Sequence, residues 1–319
     1  MASSLQHYIP TLQPQPDLSK SKLIIPTISI GNIPQLTIDL LIHTYNFNKI
    51  GILNDTFLYP FASPIDYSPQ HSEPKEGISH AIEIYHNNEL NLVVVQQRSP
   101  IIPSYTSLFV KNVIAPFIKH SGIQKVVLLN SQDLGLVKGL PHQGGSHGFN
   151  NETELENGHV EVFSLADLMN CKFEELKLSS ASITETESET RNNTSNDANI
   201  DDDESFAFVK SIFQAFDVPT KTLESKAVSN NSSNSTNSIS SSKVTNHESI
   251  LKGLDLTVLV SYAYESDNFH DAETMMQQLK EELNLLPKFK DFPLIKPVSW
   301  RGAYGDRAVP NAMEEGIFG

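Results

Sequence analysis

The chain alternates between short apolar runs of strand length and longer stretches whose apolar residues recur at helical spacing. The runs predict strands at residues 23–30, 49–53, 57–62, 81–85, 92–96, 125–130, 159–163 and 254–263. Apolar residues three or four apart predict helices after Asn32, at residues 104–120, and at residues 166–178, 206–216 and 269–286. Strands and helices therefore alternate along much of the chain.

The run at residues 125–130 is the strongest strand signal. Its positions 126–129 are all aliphatic, which indicates a strand that is buried on both faces. Strands of this kind lie in parallel sheets that helices cover on both sides. We therefore predict an α/β fold, a three-layer sandwich around a largely parallel central sheet. Pro26 lacks the N–H of a central strand and favours an edge position or a bulge for the first run.

Two polar stretches interrupt the pattern. Residues 179–205 are acidic and rich in Ser, Thr and Asn, and residues 225–249 contain 15 Ser and Asn among 25 residues. Such stretches cannot bury enough apolar surface to become ordered. Because the strand and helix that follow them could not fold alone, we predict one domain at residues 21–319 with two disordered inserts. A flexible N-terminus at residues 1–20 and a docking tail at residues 305–319 complete the predicted organisation.

Composition and charge narrow the class of protein. The 319-residue chain has a net charge of −15, and residues 151–205 hold 15 acidic and three basic residues. This balance opposes nucleic-acid binding, which needs clustered Lys and Arg. Cys171 is the only cysteine, so an internal disulfide and a thiol metal cluster are both excluded. We expect no membrane segment and a location in the cytoplasm and nucleus, because no apolar run reaches 18 residues and no signal peptide is apparent.

Candidate ligand-binding residues follow the predicted strands. Gly31-Asn32 precedes a helix N-terminus that could hold an anion, but no glycine-rich phosphate motif is present and a plain turn is favoured. Arg98 could bind a phosphate or carboxylate ligand, or could fix a loop through a carboxylate such as Asp39. The structural role is favoured, since buried charges usually come paired.

A second candidate group follows the strongest strand, where a hydrolase nucleophile would lie. It comprises Ser131, Asp133, His142 and His147. The chain has no Gly-x-Ser-x-Gly elbow, and two His five residues apart without carboxylate or Cys partners are a weak metal signal. We therefore predict no catalytic, cofactor-binding or metal-binding residues, and no enzymatic activity.

The end of the chain carries features of protein binding. Trp300, the only tryptophan, and Arg301 follow the last predicted helix and predict an interface anchor, a clamp that holds the tail on the body, or both. The last three residues, Ile317, Phe318 and Gly319, offer a hydrophobic residue, an aromatic ring and a free carboxylate. Such an end fits a pocket with a Lys or backbone N–H groups at its base. The alternative is a frayed end without a binding role.

Four blocks of the sequence follow one another in the order of a known family. They are Ser29-Ile30-Gly31-Asn32 with Gln35-Leu36 and Asp39-Leu40-Leu41-Ile42; Gln97-Arg98-Ser99-Pro100; Ser261-Tyr262 with Glu265, Asp267-Asn268 and Asp271-Ala272; and Pro297, Ser299-Trp300-Arg301, Gly305 and Pro310. Together they resemble the proteasome assembly chaperone 2 family. The resemblance covers roughly residues 22–135 and 250–319, and the order of the blocks makes it specific.

The resemblance implies a non-enzymatic chaperone of 20S proteasome assembly. Such a protein forms a heterodimer with proteasome assembly chaperone 1, and the pair binds 20S proteasome α subunits and promotes α-ring formation. Family tails of hydrophobic-Tyr-any type enter pockets between α subunits, where the terminal carboxylate meets a Lys. Ile317, Phe318 and Gly319 fall on these positions. Phe318 replaces the Tyr, and the lost phenol hydrogen bond, worth about 0.5–1.5 kcal/mol, is expected to weaken docking without abolishing it.

Two other classes of function remain open at this point. The first is a nucleoside- or phosphate-handling enzyme on a doubly wound α/β fold, with a pocket near Gly31-Asn32 and Arg98. The second is a scaffold whose acidic and Ser/Asn-rich inserts recruit other proteins. Deletion of the inserts separates the second class from the chaperone, for which both deletions are expected to be nearly neutral.

Overall fold

A computed structural model describes residues 6–71, 73, 76–135, 156–170, 204–217, 251–285 and 292–300. The strands are Tyr8–Pro10 (β1), Lys22–Pro26 (β2), Asn48–Leu53 (β3), Ala62–Pro64 (β4), Ile78–His80 (β5), Ile82–Asn87 (β6), Leu92–Gln97 (β7), Lys125–Asp133 (β8), His159–Ser164 (β9) and Asp255–Ala263 (β10). The α-helices are Ile33–Thr44 (α1), Thr106–Phe109 (α2), Ala115–Ser121 (α3), Leu165–Asn170 (α4), Glu204–Ala215 (α5) and Phe269–Glu282 (α6). None of the helices in these segments combines the length and apolarity that spanning a membrane requires.

Eight strands form one sheet in the order β1-β3-β6-β7-β2-β8-β10-β9, and β4 and β5 form a separate pair. The four central strands β7, β2, β8 and β10 are parallel neighbours. The flanking strands pair in antiparallel fashion. Every residue of β7 is buried, as expected for a central strand with helices on both sides. The predicted α/β class with a parallel sheet at its centre is confirmed.

Helices cover both faces of this sheet. Successive side chains of β8 point to opposite faces, so Val126 and Leu128 join one buried cluster and Val127 and Leu129 join the other. Residues of α2, α3 and α5 complete the first cluster. Residues of α1 and α6 complete the second. The four consecutive aliphatic residues therefore supply two hydrophobic cores, which is why the run lacks the alternation of a half-exposed strand.

Segments on either side of the predicted inserts contribute to the same sheet. β8 and β10 pair over nine residues, from Lys125 opposite Asp255 to Asp133 opposite Ala263. β9 pairs with β10 on its other side. α5 begins at Glu204, within two residues of the approximate end that was predicted for the first insert. The remainder of that stretch, and all of residues 225–249, lie outside the described residues.

The N-terminal segment differs from the predicted flexible one. β1 is an edge strand antiparallel to β3, and the Tyr8 hydroxyl donates to the Ile50 carbonyl over 3.0 Å. The Tyr8 ring also packs on Phe117, with 5.3 Å between the ring centres. Gly51 makes room for this ring, because a Cβ there would lie 2.2 Å from Tyr8. The polar, proline-rich composition of the segment does not predict this strand, because the side chain of Tyr8 alone anchors it to the body.

The predicted edge position of the first strand is also wrong. β2 lies at the centre of the sheet, between β7 and β8. Its pairing with β7 ends at Ile24, whereas Pro26 is the last residue of the strand. A proline at that place removes no hydrogen bond from the ladder with β7, so a central strand tolerates it.

Two local elements differ from the pattern as well. Within residues 57–62, predicted as a strand, Leu58 makes an isolated bridge to Ile101 instead. The helix predicted at residues 104–120 is divided by a π-helical turn, Val110–Ile114, that joins α2 to α3. The turn ends two residues before Pro116, which cannot donate the N–H that a regular α-helix needs.

Candidate functional site

The carboxyl ends of the parallel strands meet at one edge of the sheet, where polar side chains tie the turns together. Ser131 at the end of β8 donates its hydroxyl to the Ile30 carbonyl over 2.7 Å and also contacts the Ser29 hydroxyl at 2.7 Å. The side chain of Asp133 accepts the Gly135 N–H over 2.7 Å. These partners give Ser131 and Asp133 structural roles. The other two members of the hydrolase-like group, His142 and His147, lie outside the described residues.

The Gly31 turn packs against the start of α6. Gly31 has a φ of +65°, and a Cβ at this position would lie 2.4 Å from the Asn268 side-chain oxygen. Asn268 in turn donates to the Tyr264 carbonyl over 2.9 Å and to Asp271 over 2.7 Å. The glycine therefore permits close packing between the first turn and the last strand-helix junction, in agreement with a plain turn. Asn32 precedes α1 and makes no side-chain hydrogen bond that caps the helix.

A buried ion pair lies beside this edge. Asp39 of α1 is 5% exposed and accepts a hydrogen bond from the Arg98 guanidinium over 3.0 Å. The Gln96 side-chain amide donates to the same carboxylate oxygen. Burial raises the pKa of Asp39, and the charges of Arg98 and His43 oppose that rise. Arg98 stays charged and pairs with Asp39, so the interpretation of Arg98 as a structural residue is confirmed.

A second buried carboxylate is that of Glu83, on β6, the strand next to β7. It forms an ion pair with Lys49 over 2.5 Å and accepts the His80 N–H over 2.9 Å and the Tyr85 hydroxyl over 2.7 Å. Burial would raise the pKa of Glu83, but these hydrogen bonds together lower it. Glu83 is thus a charged residue with several hydrogen-bond partners in the described part of the chain.

The segment at residues 292–300, here called the C-terminal arm, lies across the helices of the second face. The Ile295 N–H donates to the Thr44 hydroxyl over 3.0 Å, at the end of α1. Lys296 pairs with Glu273 of α6 over 2.8 Å. Ser299 donates its hydroxyl to Asp66. Polar contacts therefore hold the arm to α1, to α6 and to the loop that contains Asp66.

Trp300 ends the C-terminal arm inside the protein. Its side chain is 5% exposed and stacks on Phe269, with 4.3 Å between the ring centres and 6° between the planes. Its indole N–H points to Asp39, with a nitrogen–oxygen distance of 3.4 Å. Lys296 lies about 6 Å from both rings, a distance that suits a cation–π contact. Trp300 therefore joins the last described residues to the buried ion pair.

Near the arm, the described residues form a small cavity and a wider groove. A cavity of about 170 Å³ is lined by Arg98, Asp66 and Tyr85, among others, and neither Gly31 nor Asn32 lines it. A wider groove of about 650 Å³ is lined by Trp300, Phe269 and residues of the arm. The enzyme hypothesis needs one pocket that lies near both Gly31-Asn32 and Arg98. The cavity beside Arg98 does not meet this requirement.

Comparison with protein families matches residues 23–283 to the model of the PAC2 family. This match spans most of the chain, from β2 to the end of α6. The chain belongs to the PAC2 family. The resemblance drawn from the four sequence blocks is confirmed, and the C-terminal arm of this PAC2 protein lies after the matched region in the sequence, beginning at residue 292.

Several individual proteins are similar to this PAC2 protein. "Proteasome assembly chaperone 2" of Danio rerio is 36% identical over 116 residues, which cover 36% of this chain and less than half, 44%, of that protein. "Proteasome assembly chaperone 2" of Mus musculus is 24% identical over 314 residues, which cover 95% of this chain and 98% of that protein. Among solved structures, PbaA of Pyrococcus furiosus, described as an archaeal homolog of proteasome-assembly chaperone, covers 86% of this chain and 85% of its own, with 11% identity and a TM-score of 0.45.

Sequence reasoning found some residues of this PAC2 site and missed others. The sequence offers Asp39 as a partner of Arg98 and singles out Trp300 separately, and the structure brings all three together. Gln96 and Phe269 were not linked to the site, although each stands beside a residue of a recognised block. The predicted docking residues Ile317, Phe318 and Gly319, together with Arg301, lie outside the described residues.

Proposed function

We propose that this PAC2 protein is a chaperone of 20S proteasome assembly. The observation that carries the proposal is the match to the PAC2 family over residues 23–283, together with relatives named "Proteasome assembly chaperone 2". The alignment with the Mus musculus relative extends over nearly the whole of both chains. The β2–α1 turn and the β10–α6 junction, which carry two of the four family blocks, contact each other through Gly31 and Asn268.

The finer proposal concerns partners. We infer that the protein forms a heterodimer with proteasome assembly chaperone 1, and that the pair binds 20S proteasome α subunits during α-ring formation in the cytoplasm and nucleus. Ile317, Phe318 and Gly319 dock in an α-subunit pocket through an aliphatic side chain, an aromatic ring and a terminal carboxylate. Trp300, the last described residue, acts as the clamp at the point from which the chain continues to its C-terminus, and Arg301 follows it in the sequence as an interface residue.

The proposed role is non-enzymatic. The residues that suggested chemistry have structural partners among the described residues: Ser131 bonds to Ile30, and Arg98 pairs with Asp39. A binding protein needs a rigid body and an accessible docking segment, and it needs no activated nucleophile or perturbed general base. The proposal therefore assigns no catalytic, cofactor or metal residues.

An affinity capture from extract of the protein's own cells tests this proposal. The full-length protein is compared with a variant that lacks Ile317-Phe318-Gly319 and with a control, Glu314→Gln together with Glu315→Gln, that keeps the last three residues. We expect all three to retain the proteasome assembly chaperone 1 partner. The truncation is expected to reduce captured α subunits by about tenfold or more, equivalent to at least 1.4 kcal/mol, because the ring and carboxylate contacts are removed.

The possible outcomes separate the two levels of the proposal. Capture of neither partner nor α subunits by the full-length protein would contradict the assembly role. Normal capture of α subunits by the truncated protein would leave the assembly role in place and show that the tail is not the docking element.

A further inference from the structure

Asp39 is a shared acceptor for the body and the C-terminal arm. Its carboxylate is buried in the second core, and the residues beside it on α1 are apolar. One oxygen, Oδ1, accepts from Arg98 and Gln96, which belong to the end of β7 and the loop after it. The other oxygen, Oδ2, faces the indole N–H of Trp300. The two oxygens therefore connect two parts of the chain that are about 200 residues apart.

The body side of this connection is rigid. Gln96 is buried in a central strand, and Arg98 donates its backbone N–H to the Ala81 carbonyl over 2.9 Å. The Asp39 oxygens are consequently held in place by covalent geometry of α1 and by hydrogen bonds from fixed donors. A carboxylate that is held in this way can fix the position of the group that donates a hydrogen bond to its other oxygen.

On the arm side, the contacts with Thr44, Glu273 and Asp66 hold the chain before Trp300, and the Trp300 ring is held separately. Trp300 stacks on Phe269, and stacked rings tolerate sliding and rotation in their common plane. The indole N–H is the one polar group of the Trp300 side chain, and its bond to Asp39 fixes the rotation that stacking leaves free. Arg98 and Asp66 line the same cavity, and Asp66 holds Ser299, the residue before Trp300. The polar anchors of Ser299 and Trp300 therefore lie next to each other.

We propose that Asp39, supported by Arg98, is a positioning residue that sets the orientation of Trp300 and so fixes the point from which the chain continues to its C-terminus. The consequence for α-subunit docking rests on the proposed function. A tail with a fixed starting point loses less freedom on docking than one that starts from a mobile arm, so this contact strengthens docking without touching the α subunit.

The substitution Asp39→Asn tests the contact with little change in shape. Asn has one acceptor oxygen and one NH₂ donor in place of two acceptors. The Arg98 guanidinium takes the oxygen, because a charged donor forms the stronger hydrogen bond. The NH₂ group then faces the indole N–H, and two donors repel each other. We therefore expect Asp39→Asn to release Trp300 while Arg98 keeps an acceptor.

Trp300 is the only tryptophan of the chain, so its fluorescence reports this release directly. In Asp39→Asn we expect the emission maximum to move to longer wavelength and acrylamide quenching to rise several-fold, with unchanged far-UV circular dichroism. The matched control is Glu83→Gln, which removes a buried carboxylate that bonds to Lys49 and Tyr85. The control is expected to leave Trp300 emission and quenching as in the wild type. Wild-type fluorescence in a folded Asp39→Asn variant would overturn the proposal.

A measurement on the unmodified protein covers the case in which Asp39→Asn does not fold. The single indole N–H gives one cross-peak in a nitrogen–proton correlation spectrum of labelled protein. Hydrogen exchange of that N–H is expected to be strongly slowed, because the group is buried and donates to a carboxylate. Exchange as fast as that of a free tryptophan side chain would show that Trp300 is not held, and would overturn the proposal.

α-Subunit binding by Asp39→Asn tests the functional consequence. We expect binding about tenfold weaker than the wild type, corresponding to 1.4 kcal/mol, with normal capture of the heterodimer partner. Released Trp300 fluorescence with full α-subunit binding would contradict the link between arm position and docking. Absence of α-subunit binding by the wild type would instead contradict the proposed function, and the fluorescence and exchange results would still decide whether Asp39 positions Trp300.

Discussion

Glu83 and Asp39 are two buried carboxylates whose surroundings shift the pKa in opposite directions. Hydrogen bonds from Lys49, His80 and Tyr85 lower the pKa of Glu83 in spite of its burial. Burial prevails at Asp39 and raises its pKa, although Arg98 opposes the shift. The ionised form of Glu83 therefore stabilises the fold. At Asp39 burial works against ionisation, and the role of the carboxylate is to accept hydrogen bonds from Arg98 and Trp300.

Glu83→Gln is expected to destabilise the protein by about 2 kcal/mol at neutral pH, because Lys49 loses its charged partner and one acceptor oxygen disappears. The folded-state pKa of Glu83 lies below its ordinary value of 4.5, so its contribution is complete above that pH and is lost as the pH falls through the folded-state pKa. Urea unfolding followed by circular dichroism should show a difference between variant and wild type that shrinks in acid. A difference of the same size at all pH values would contradict the assigned charge.

Only part of this residue-level arrangement can be predicted from the sequence. Asp39 lies among apolar residues of a helix, and such a position indicates a buried carboxylate that needs a cation. Arg98 was identified as that cation for the same reason. The pairing of Glu83 with Lys49 has no comparable signal, because it depends on the register of β3 against β6, which includes a bulge between Lys49 and Gly51.

At the scale of elements, α5 shows how a short helix between two polar stretches joins the core. Its apolar residues recur at helical spacing and were predicted to form a helix at residues 206–216. In the structure Phe208, Ile212 and Phe213 are buried on the first face of the sheet, where the Phe208 ring lies 6.2 Å from that of Phe109. The element is therefore part of the folded body rather than of an insert.

Phe213→Ala is expected to cost about 3–5 kcal/mol of unfolding free energy, because a fully buried aromatic side chain is removed and the cavity does not fill. The neighbouring substitution Gln214→Ala is the matched control, since Gln214 is exposed on the same helix. Chemical denaturation of both variants should show a large loss for the first and less than about 0.5 kcal/mol for the second. Equal effects would indicate that α5 does not pack on the sheet as described.

At the scale of the whole molecule, the described residues on either side of the second predicted insert meet. The Leu251 N–H donates to the Ala215 carbonyl over 2.9 Å, and Leu251 is buried. Ala215 and Leu251, which bracket this stretch of the sequence, are thus held together by the body. The entropy of closing a chain between two such points depends weakly on its length, so shortening the stretch changes stability little.

Deletion of residues 225–247 is accordingly expected to change the unfolding free energy by less than about 1 kcal/mol. Under the assembly proposal it also leaves the capture of α subunits unchanged. Leu251→Ala, just after this stretch, is the contrasting variant and is expected to cost about 2–5 kcal/mol. Thermal denaturation and affinity capture test both expectations. Loss of α-subunit capture after the deletion would favour the scaffold hypothesis, in which the inserts recruit other proteins.

The sequence by itself determined the class of fold, the main strands and helices, and the family. These properties follow from local patterns: four aliphatic residues in a row at β8 require two cores, and helical spacing requires an amphipathic helix. Only the tertiary structure decided which strand lies at an edge, that Tyr8 packs against Gly51, and that Trp300 joins the pair of Asp39 and Arg98. Those outcomes depend on contacts between residues far apart in the chain, for which no local pattern of apolar and polar residues carries a signal.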